Sequence, residues 1–359
     1  MYKNLVRAAL WAGAALMFTL IPARAAEPLK VAFVYVSPVG QAGWTYQHDL
    51  GRREMEQALG AAVKATVVEA VPEGADSERV MRDLAAQGHR LVFATSFGYL
   101  EPALRVAAEF PQVRFEHAGG YKTAPNLGTY NARYYEARYL AGMLAGHAST
   151  TGVAGYVAGF PVPEVVQGIN AFTLGMRAVN PKAQVKVVWL NAWFDPARER
   201  DAALSLVAQG ADVLTNHSGS PAVPQVAEEK GVKLLAYQSD MRTFAPKAQL
   251  AAVTHHWGGF YTRVAQDVIA GRWTNTPVWG GMKDGLVKLS ALSDTLPAAA
   301  RQAVTRREAD IMAGRFQPFG GRLVDNAGQQ RQASGTLSDA QIARMDWLVE
   351  GVVGTLPGR

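Results

Sequence analysis

The chain has 359 residues, 36 Lys and Arg against 30 Asp and Glu, a net charge of +6, and no cysteine. The absent thiols exclude disulfides, thiolate metal sites, a cysteine nucleophile and a lipid-modified cysteine at the mature N-terminus. The basic residues are scattered among acidic ones without forming a stripe, so no nucleic-acid surface is expected.

The first segment, "MYKNLVRAALWAGAALMFTLIPARAA", has the layout of a secretory leader. Lys3 and Arg7 precede an apolar run from Ala8 to Ile21, and Ala23-Arg24-Ala25 fits the small-x-small cleavage rule. The run is short for a membrane span, which needs about 20 residues. Cleavage is expected after Ala25, releasing a non-lipidated chain into the periplasm. What remains exceeds the ~250–300 residues at which single cores stop growing, so two lobes are expected.

Strands and helices then alternate. "KVAFVYV" reads as a strand covered on both faces. A helix with Leu50, Met55 and Leu59 follows, then the strands "AVKATVVEAV", "HRLVFATS" and "VRFEHAGG" with helices between them. "ARYYEARYLAGMLAGHA", after "NLGTYNA", reads as the next helix. The pattern restarts at "TGVAGYVAGF" and runs through the strands "AQVKVVWLNAW", "ADVLTNHS" and "KLLAYQSD". Two such βαβ runs imply two Rossmann-like lobes with parallel sheets. The last hundred residues are less regular, and are expected to cross between lobes as a hinge of several segments. The lobes are expected at 26–148 with about 254–280, and at 149–253 with about 281–359.

Catalytic and phosphate-binding motifs are missing. "VSPVGQAGW" is not a dinucleotide fingerprint, and neither a Walker loop nor a nucleophile elbow occurs. No histidines stand at the i, i+4 spacing of a helical zinc site. "NHSGS" is better read as a polar strand end before a helix than as a Ser/His pair. No metal and no cofactor are expected.

Ligands of doubly wound sheets bind beyond the carboxyl ends of the strands. Those ends carry aromatics: Trp44, Tyr46, Phe97, Tyr99, Tyr121, Phe160, Trp193, Phe194 and Trp257. Such rings cap sheets, or they stack a flat ligand at about 0.5–1.5 kcal/mol per ring beyond area burial. Four polar residues accompany them. Asp240 can accept from an amino group and a ring N–H, and it can equally cap the next helix. Asn131 and Asn191 carry the donor and acceptor that pair with the edge of adenine. Glu164 starts a helix, where the dipole favours its charge whether or not it meets a ligand.

"GWTYQHDLGR", "ATSFGY", "FEHAGGYK", "YNARYYEARYLAGMLAG", "PEVVQGINAFTLGMRAVNP", "NAWFDP", "GADVLTNHSGSP", "YQSDM" and "IMAGRFQPFGGRLVDNAG", in that order, resemble the basic membrane protein family of ABC-importer substrate-binding proteins. Among its branches, the chain is most similar to the purine-binding, adenine-favouring one. The resemblance implies a type I periplasmic-binding fold, two α/β lobes joined by three crossovers, with no enzymatic activity. It implies a base stacked between Trp44 and either Trp193 or Phe194, with Trp193 favoured, and an acidic contact from Asp240. It also implies an inner-membrane ABC permease as partner, and a monomer. Two departures favour a free base over a nucleoside: Gly43-Trp44-Thr45-Tyr46 replaces the Asp-Lys-Ser-Phe-Asn-like stretch of nucleoside binders, and His255-His256-Trp257 stands where they carry a Lys. The rival readings are another flat ligand such as a flavin, an autoinducer-like sugar, a partner of a membrane sensor, and an exported nucleosidase or hydrolase using Asp240 and Glu164.

Overall fold

A computed structural model describes residues 27–358. The expected leader and its cleavage position lie outside the described residues. In chain order the elements are β1 (Leu29–Val34), α1 (Trp44–Leu59), β2 (Val63–Val68), α2 (Ala75–Ala86), β3 (Leu91–Ala94), α3 (Leu100–Glu109), β4 (Arg114–Ala118) and β5 (Leu127–Ala132). There follow α4 (Tyr134–Ala148), β6 (Val153–Ala158), α5 (Pro163–Val179), β7 (Gln184–Trp189), α6 (Pro196–Ala208), β8 (Val213–His217), α7 (Ala222–Lys230), β9 (Lys233–Gln238) and β10 (Gln249–His255). The last third holds α8 (Gly258–Ile269), β11 (Val278–Gly280), β12 (Val287–Leu289), α9 (Ala298–Met312), β13 (Leu323–Val324), β14 (Gln330–Gln332), α10 (Asp339–Ile342) and β15 (Val352–Val353).

Two sheets organise the molecule. The first runs β11-β5-β4-β3-β1-β2 and is parallel throughout. The second runs β12-β10-β9-β8-β6-β7-β15, with only β12 antiparallel to its neighbour. In each lobe the first strand has its successor on one side and the third strand on the other. The connections therefore leave β1/β3 and β6/β8 in opposite directions, and a crevice opens at each switch point. β1 shows why: Val31, Ala32, Phe33 and Val34 are all buried, as a strand covered by helices on both faces must be. Phe33 stacks on Phe93 with centroids 4.7 Å apart, and Phe93 meets Tyr261 of α8 at 4.3 Å.

β5 is a strand the sequence reading passed over. Its Gly128 and Thr129 dilute the apolar signal, yet both are buried, and the carboxylate of Glu116 on β4 fills the space above Gly128.

The chain crosses between lobes at β5–α4, at β10–α8 and at β11–β12. Backbone hydrogen bonds tie these crossings together: Arg133 N donates to Gly280 O at 2.7 Å, and His256 N donates to Leu286 O at 3.0 Å. The first crossing falls earlier than the expected boundary at residue 148. α4 lies along α5 of the second lobe so closely that a Cβ on Gly142 would stand 2.0 Å from Phe172 O, and one on Gly175 2.0 Å from Tyr139 O. Glycine at both positions lets the backbones touch, and this packing places α4 in the second lobe.

Candidate ligand-binding site

Between the lobes lies a cavity with about 510 Å3 of space free of protein atoms, its open mouth included. The first lobe contributes Val36 and Ser37 beyond β1, Trp44 at the start of α1, Ser96 and Phe97 beyond β3, and Ala118–Gly119 beyond β4. The second contributes Val162 and Glu164 at the start of α5, Trp193 beyond β7, His217 and Gly219 at the end of β8, and Gln238 at the end of β9. Every segment follows a strand of its parallel sheet.

Trp44 is held by its own polar edge: Nε1 donates to Thr95 O at 2.7 Å. His48 and Tyr134 meet the indole edge-on, with centroids 4.5 and 6.4 Å away. On the opposite wall Trp193 lies over Gly159, where a Cβ would stand 2.8 Å from the indole Cε3. Phe160 packs edge-on against it at 4.8 Å. Its Nε1 reaches across the cleft and donates to Glu73 Oε1 at 3.1 Å.

The lobes meet over the cavity in a closed arrangement. Gly43, at φ +91°, donates its N–H to Ser239 Oγ at 2.7 Å, and Ser239 Oγ donates to Gly43 O at 3.2 Å. A side chain on Gly43 would put Cβ 2.2 Å from Gly219 O. Glycine is required here twice, once for the backbone conformation and once for the approach of the other lobe.

Some polar groups of the lining are already engaged. Ser37 Oγ and Thr45 Oγ1 are 2.7 Å apart, and Ser96 Oγ donates to Glu73 Oε1 at 2.6 Å. Others retain capacity. The side-chain oxygen of Gln238 is buried without a hydrogen-bond partner, on a residue whose backbone sits at φ +69°. Such a left-handed conformation costs a non-glycine residue about 1–3 kcal/mol and marks a position held for a purpose. Glu164 Oε1 lies 3.5 Å from His217 Nε2, its one polar partner among the described residues. Burial holds the His217 imidazole below its ordinary range, with Glu164 pulling it up and Arg138 pushing it down. Glu164 and the Gln238 oxygen thus stand as uncommitted acceptors in a wall of rings and small residues, where a flat ligand could present N–H donors.

Of the residues singled out in the sequence, the structure brings Trp44, Phe97, Glu164 and Trp193 into one cavity. The others lie outside its lining. Asp240 is exposed, accepts from the backbone N of Arg242 at 3.0 Å and from Gln249 Nε2 at 2.9 Å, and pairs with Arg242. No helix follows it, so it closes a turn rather than capping one, and its carboxylate lies outside the cavity lining. Asn131 turns its Oδ1 to the N–H of Ala132 at 2.8 Å. Asn191 is exposed in a left-handed turn at φ +52°. Phe194 lies outward, beside Gly219. Trp257 is core, stacked on His48 at 5.3 Å with 4° between the planes, and Tyr46 is half-buried away from the cavity. The hydrolase reading needed Asp240 and Glu164 together, and only Glu164 is in the cleft. Among the described residues no group of three or more His, Asp or Glu comes together as a metal cage.

Sequence reasoning missed Gln238, His217 and Glu73. Gln238 and His217 stand in strand-end segments that were flagged, "YQSDM" and "TNHSGSP". The signal that would have found them is position: each is the last residue of a central strand of the second lobe.

Two sheets of this order, three crossings and a closed interlobe cavity define a type I periplasmic-binding-protein fold. Solved structures agree. The solute-binding protein of an ABC transporter system from Aeropyrum pernix superposes with a TM-score of 0.69 at 19% identity over 81% of this chain and 93% of that one. The one from Conexibacter woesei gives 0.66 at 20% identity over 80% and 98%. The chain belongs to the Bmp family of PnrA-like ABC transporter substrate-binding proteins, whose family model matches residues 29–317. A purine-binding protein of Brucella abortus is 47% identical over 336 residues, 93% of this chain and 96% of the relative. A Haloferax volcanii protein assigned by name to glucose binding in an ABC transporter is 35% identical over 331 residues, 92% of this chain and 82% of the relative.

Proposed function

We propose that this ABC transporter substrate-binding protein captures a purine, adenine in preference to a nucleoside, in the periplasm and delivers it to an inner-membrane permease. The observation that carries the reading is the interlobe cavity itself. Trp44 and Trp193 face it from opposite lobes, and Glu164 and the Gln238 oxygen offer it uncommitted acceptors. Adenine is a flat ring system with N–H donors at its edge, and matches both features. The purine-binding name of the Brucella abortus relative supports the same class.

Capture is hinge closure. Ligand contacts made only when both lobes reach the ring favour the closed state by their own free energy. The Gly43–Ser239 and Trp193–Glu73 bonds are such closed-state contacts within the protein. The protein acts as a monomer after removal of its leader, and carries out no chemistry on its ligand.

The test is mass spectrometry of ligand released from the purified protein, with a thermal-shift panel of bases, nucleosides, flavins and glucose. Adenine in the released fraction, and the largest midpoint rise with adenine, are expected, because a bound ligand stabilises by mass action. A flavin or glucose as the stabilising compound, with adenine inert, overturns the reading.

A further inference from the structure

This inference rests on the purine reading and concerns what sorts purines within the cleft. We propose that Glu164 is the specificity-determining residue: it accepts the ring N–H that an unsubstituted base carries and a 9-substituted purine lacks.

Glu164 is the only carboxylate of the cavity lining. It stands on the second lobe and reaches towards the first, where a Cβ on Gly119 would lie 3.5 Å from Oε2. Gly119 has φ +73°, so no side chain intervenes. The Glu164 side chain is 14% exposed. A carboxylate offers about four acceptor positions, and leaving them unfilled away from water is costly. His217 addresses Oε1, and among the described residues no other polar group addresses the rest. A ligand N–H is the missing donor.

The neighbouring groups keep Glu164 an acceptor. His217 Nδ1 is buried without a hydrogen-bond partner, as is Arg138 Nε. Both face the small hollow over Gly168, where a Cβ would lie 3.9 Å from Nδ1, 3.6 Å from Arg138 Nε and 3.1 Å from Tyr156 OH. Glu164 Oε1, 3.5 Å from Nε2, is an acceptor, so Nδ1 is the lone-pair nitrogen of the neutral ring. The proton is then on Nε2, directed at Glu164. Arg138 is wholly buried and has no carboxylate against it. It donates to Thr215 Oγ1 at 2.9 Å, to Asn216 O at 3.1 Å and to Tyr156 OH, with its guanidinium 4.1 Å from the Tyr237 ring centroid. Burial first, and then the Arg138 charge behind His217, oppose protonation of the imidazole against the pull of Glu164. Arg138 and His217 are thus positioning residues for Glu164.

An N–H donated to an ionised acceptor is worth about 1.5–3 kcal/mol, or roughly ten- to a hundredfold in affinity. A ribose or methyl group on N9 removes that donor and leaves the carboxylate unanswered. If Glu164 instead accepted a sugar diol, the order of affinities would reverse.

The experiment is calorimetry of adenine, 9-methyladenine and adenosine on the leader-free protein and on Glu164→Gln. The wild type is expected to bind adenine about tenfold or more tighter than 9-methyladenine. Glu164→Gln is expected to bring the two within about threefold. Equal affinities, a preference for adenosine, or an unchanged ratio in Glu164→Gln overturns the assignment and leaves the purine reading standing. No binding of any of the three overturns the purine reading and this assignment with it. The wild-type comparison needs no variant to fold. Nitrogen-15 NMR of the His217 ring reads the relay separately: Nε2–H is expected, and Nδ1–H contradicts the positioning role.

Discussion

Trp193 Nε1 donates to Glu73 Oε1 at 3.1 Å, joining the aromatic wall of one lobe to a loop of the other. The same carboxylate oxygen accepts from Ser96 Oγ at 2.6 Å and from Gly98 N at 2.8 Å, both beyond β3. Glu73 is exposed, yet it organises the mouth of the cleft from both sides. Trp193 thus lines the cavity and bridges the lobes at once.

Glu73→Ala removes the acceptor for all three donors. Only the Trp193 bond crosses the cleft, and at about 0.5–1.5 kcal/mol its loss is expected to weaken affinity about two- to twelvefold, chiefly as faster dissociation. Stopped-flow tryptophan fluorescence reads it. An unchanged off-rate shows that the bond does not hold the closed state.

Gly43→Ala tests closure itself. The new Cβ would stand 2.2 Å from Gly219 O, a contact between lobes. The backbone at φ +91°, ψ −167° adds a local cost of about 1–3 kcal/mol for any side chain. We expect a modest fall in the ligand-free melting midpoint and a larger loss of affinity, at least about tenfold. Small-angle scattering with adenine should show the variant staying more open than the wild type. Equal compaction in both contradicts the clash.

Glu116 sets an alkaline dependence. Burial pushes its carboxyl up to about 8 from the ordinary 4.5, against a hydrogen bond from Trp273 Nε1 at 2.8 Å. Between those values the folded chain holds a proton the unfolded chain has lost. This contribution to stability is therefore present below about 4.5 and lost as pH rises towards 8. Glu116→Gln keeps an acceptor for Trp273 and removes the titration. Its melting midpoint should gain on the wild type as pH rises from 5 to 8. A constant difference across that range sinks the assignment.

An acid arm comes from buried imidazoles. Burial lowers His48 to about 3 and His117 to about 4 from the ordinary 6.5. Below 6.5 the unfolded chain takes up protons that these folded residues refuse, so their contribution is full above 6.5 and lost as pH falls towards 4 and 3. Thermal unfolding in His117→Asn should show a shallower fall between pH 6.5 and 4 than the wild type. Parallel curves contradict this.

The fold was legible in the sequence because strand periodicity and the restart at Thr151 are properties of local runs. β5 was not, because Gly128 is buried by a carboxylate from a neighbouring strand, a relationship no window of sequence contains. The same division runs through the site. Trp44, Phe97, Glu164 and Trp193 were found because aromatic and acidic residues after strands stand out by type. Asp240 stands out by type in the same way, yet its carboxylate closes its own turn outside the cavity lining. Gln238 and His217 were missed because their roles come from burial, a left-handed backbone and a neighbour on α5. Residue type locates a binding edge, while tertiary packing decides which polar atoms stay uncommitted.

Trp44 is the ring whose place most directly joins the fold to purine capture. Stacking contributes about 0.5–1.5 kcal/mol beyond the apolar area that Trp44 covers. The decisive measurement is a calorimetric titration of adenine into the wild-type protein and into Trp44→Ala. Saturable one-to-one binding, weakened about tenfold or more in the variant, is the expected result. Absence of binding to the wild type, or the same affinity in both proteins, contradicts purine capture in this cleft.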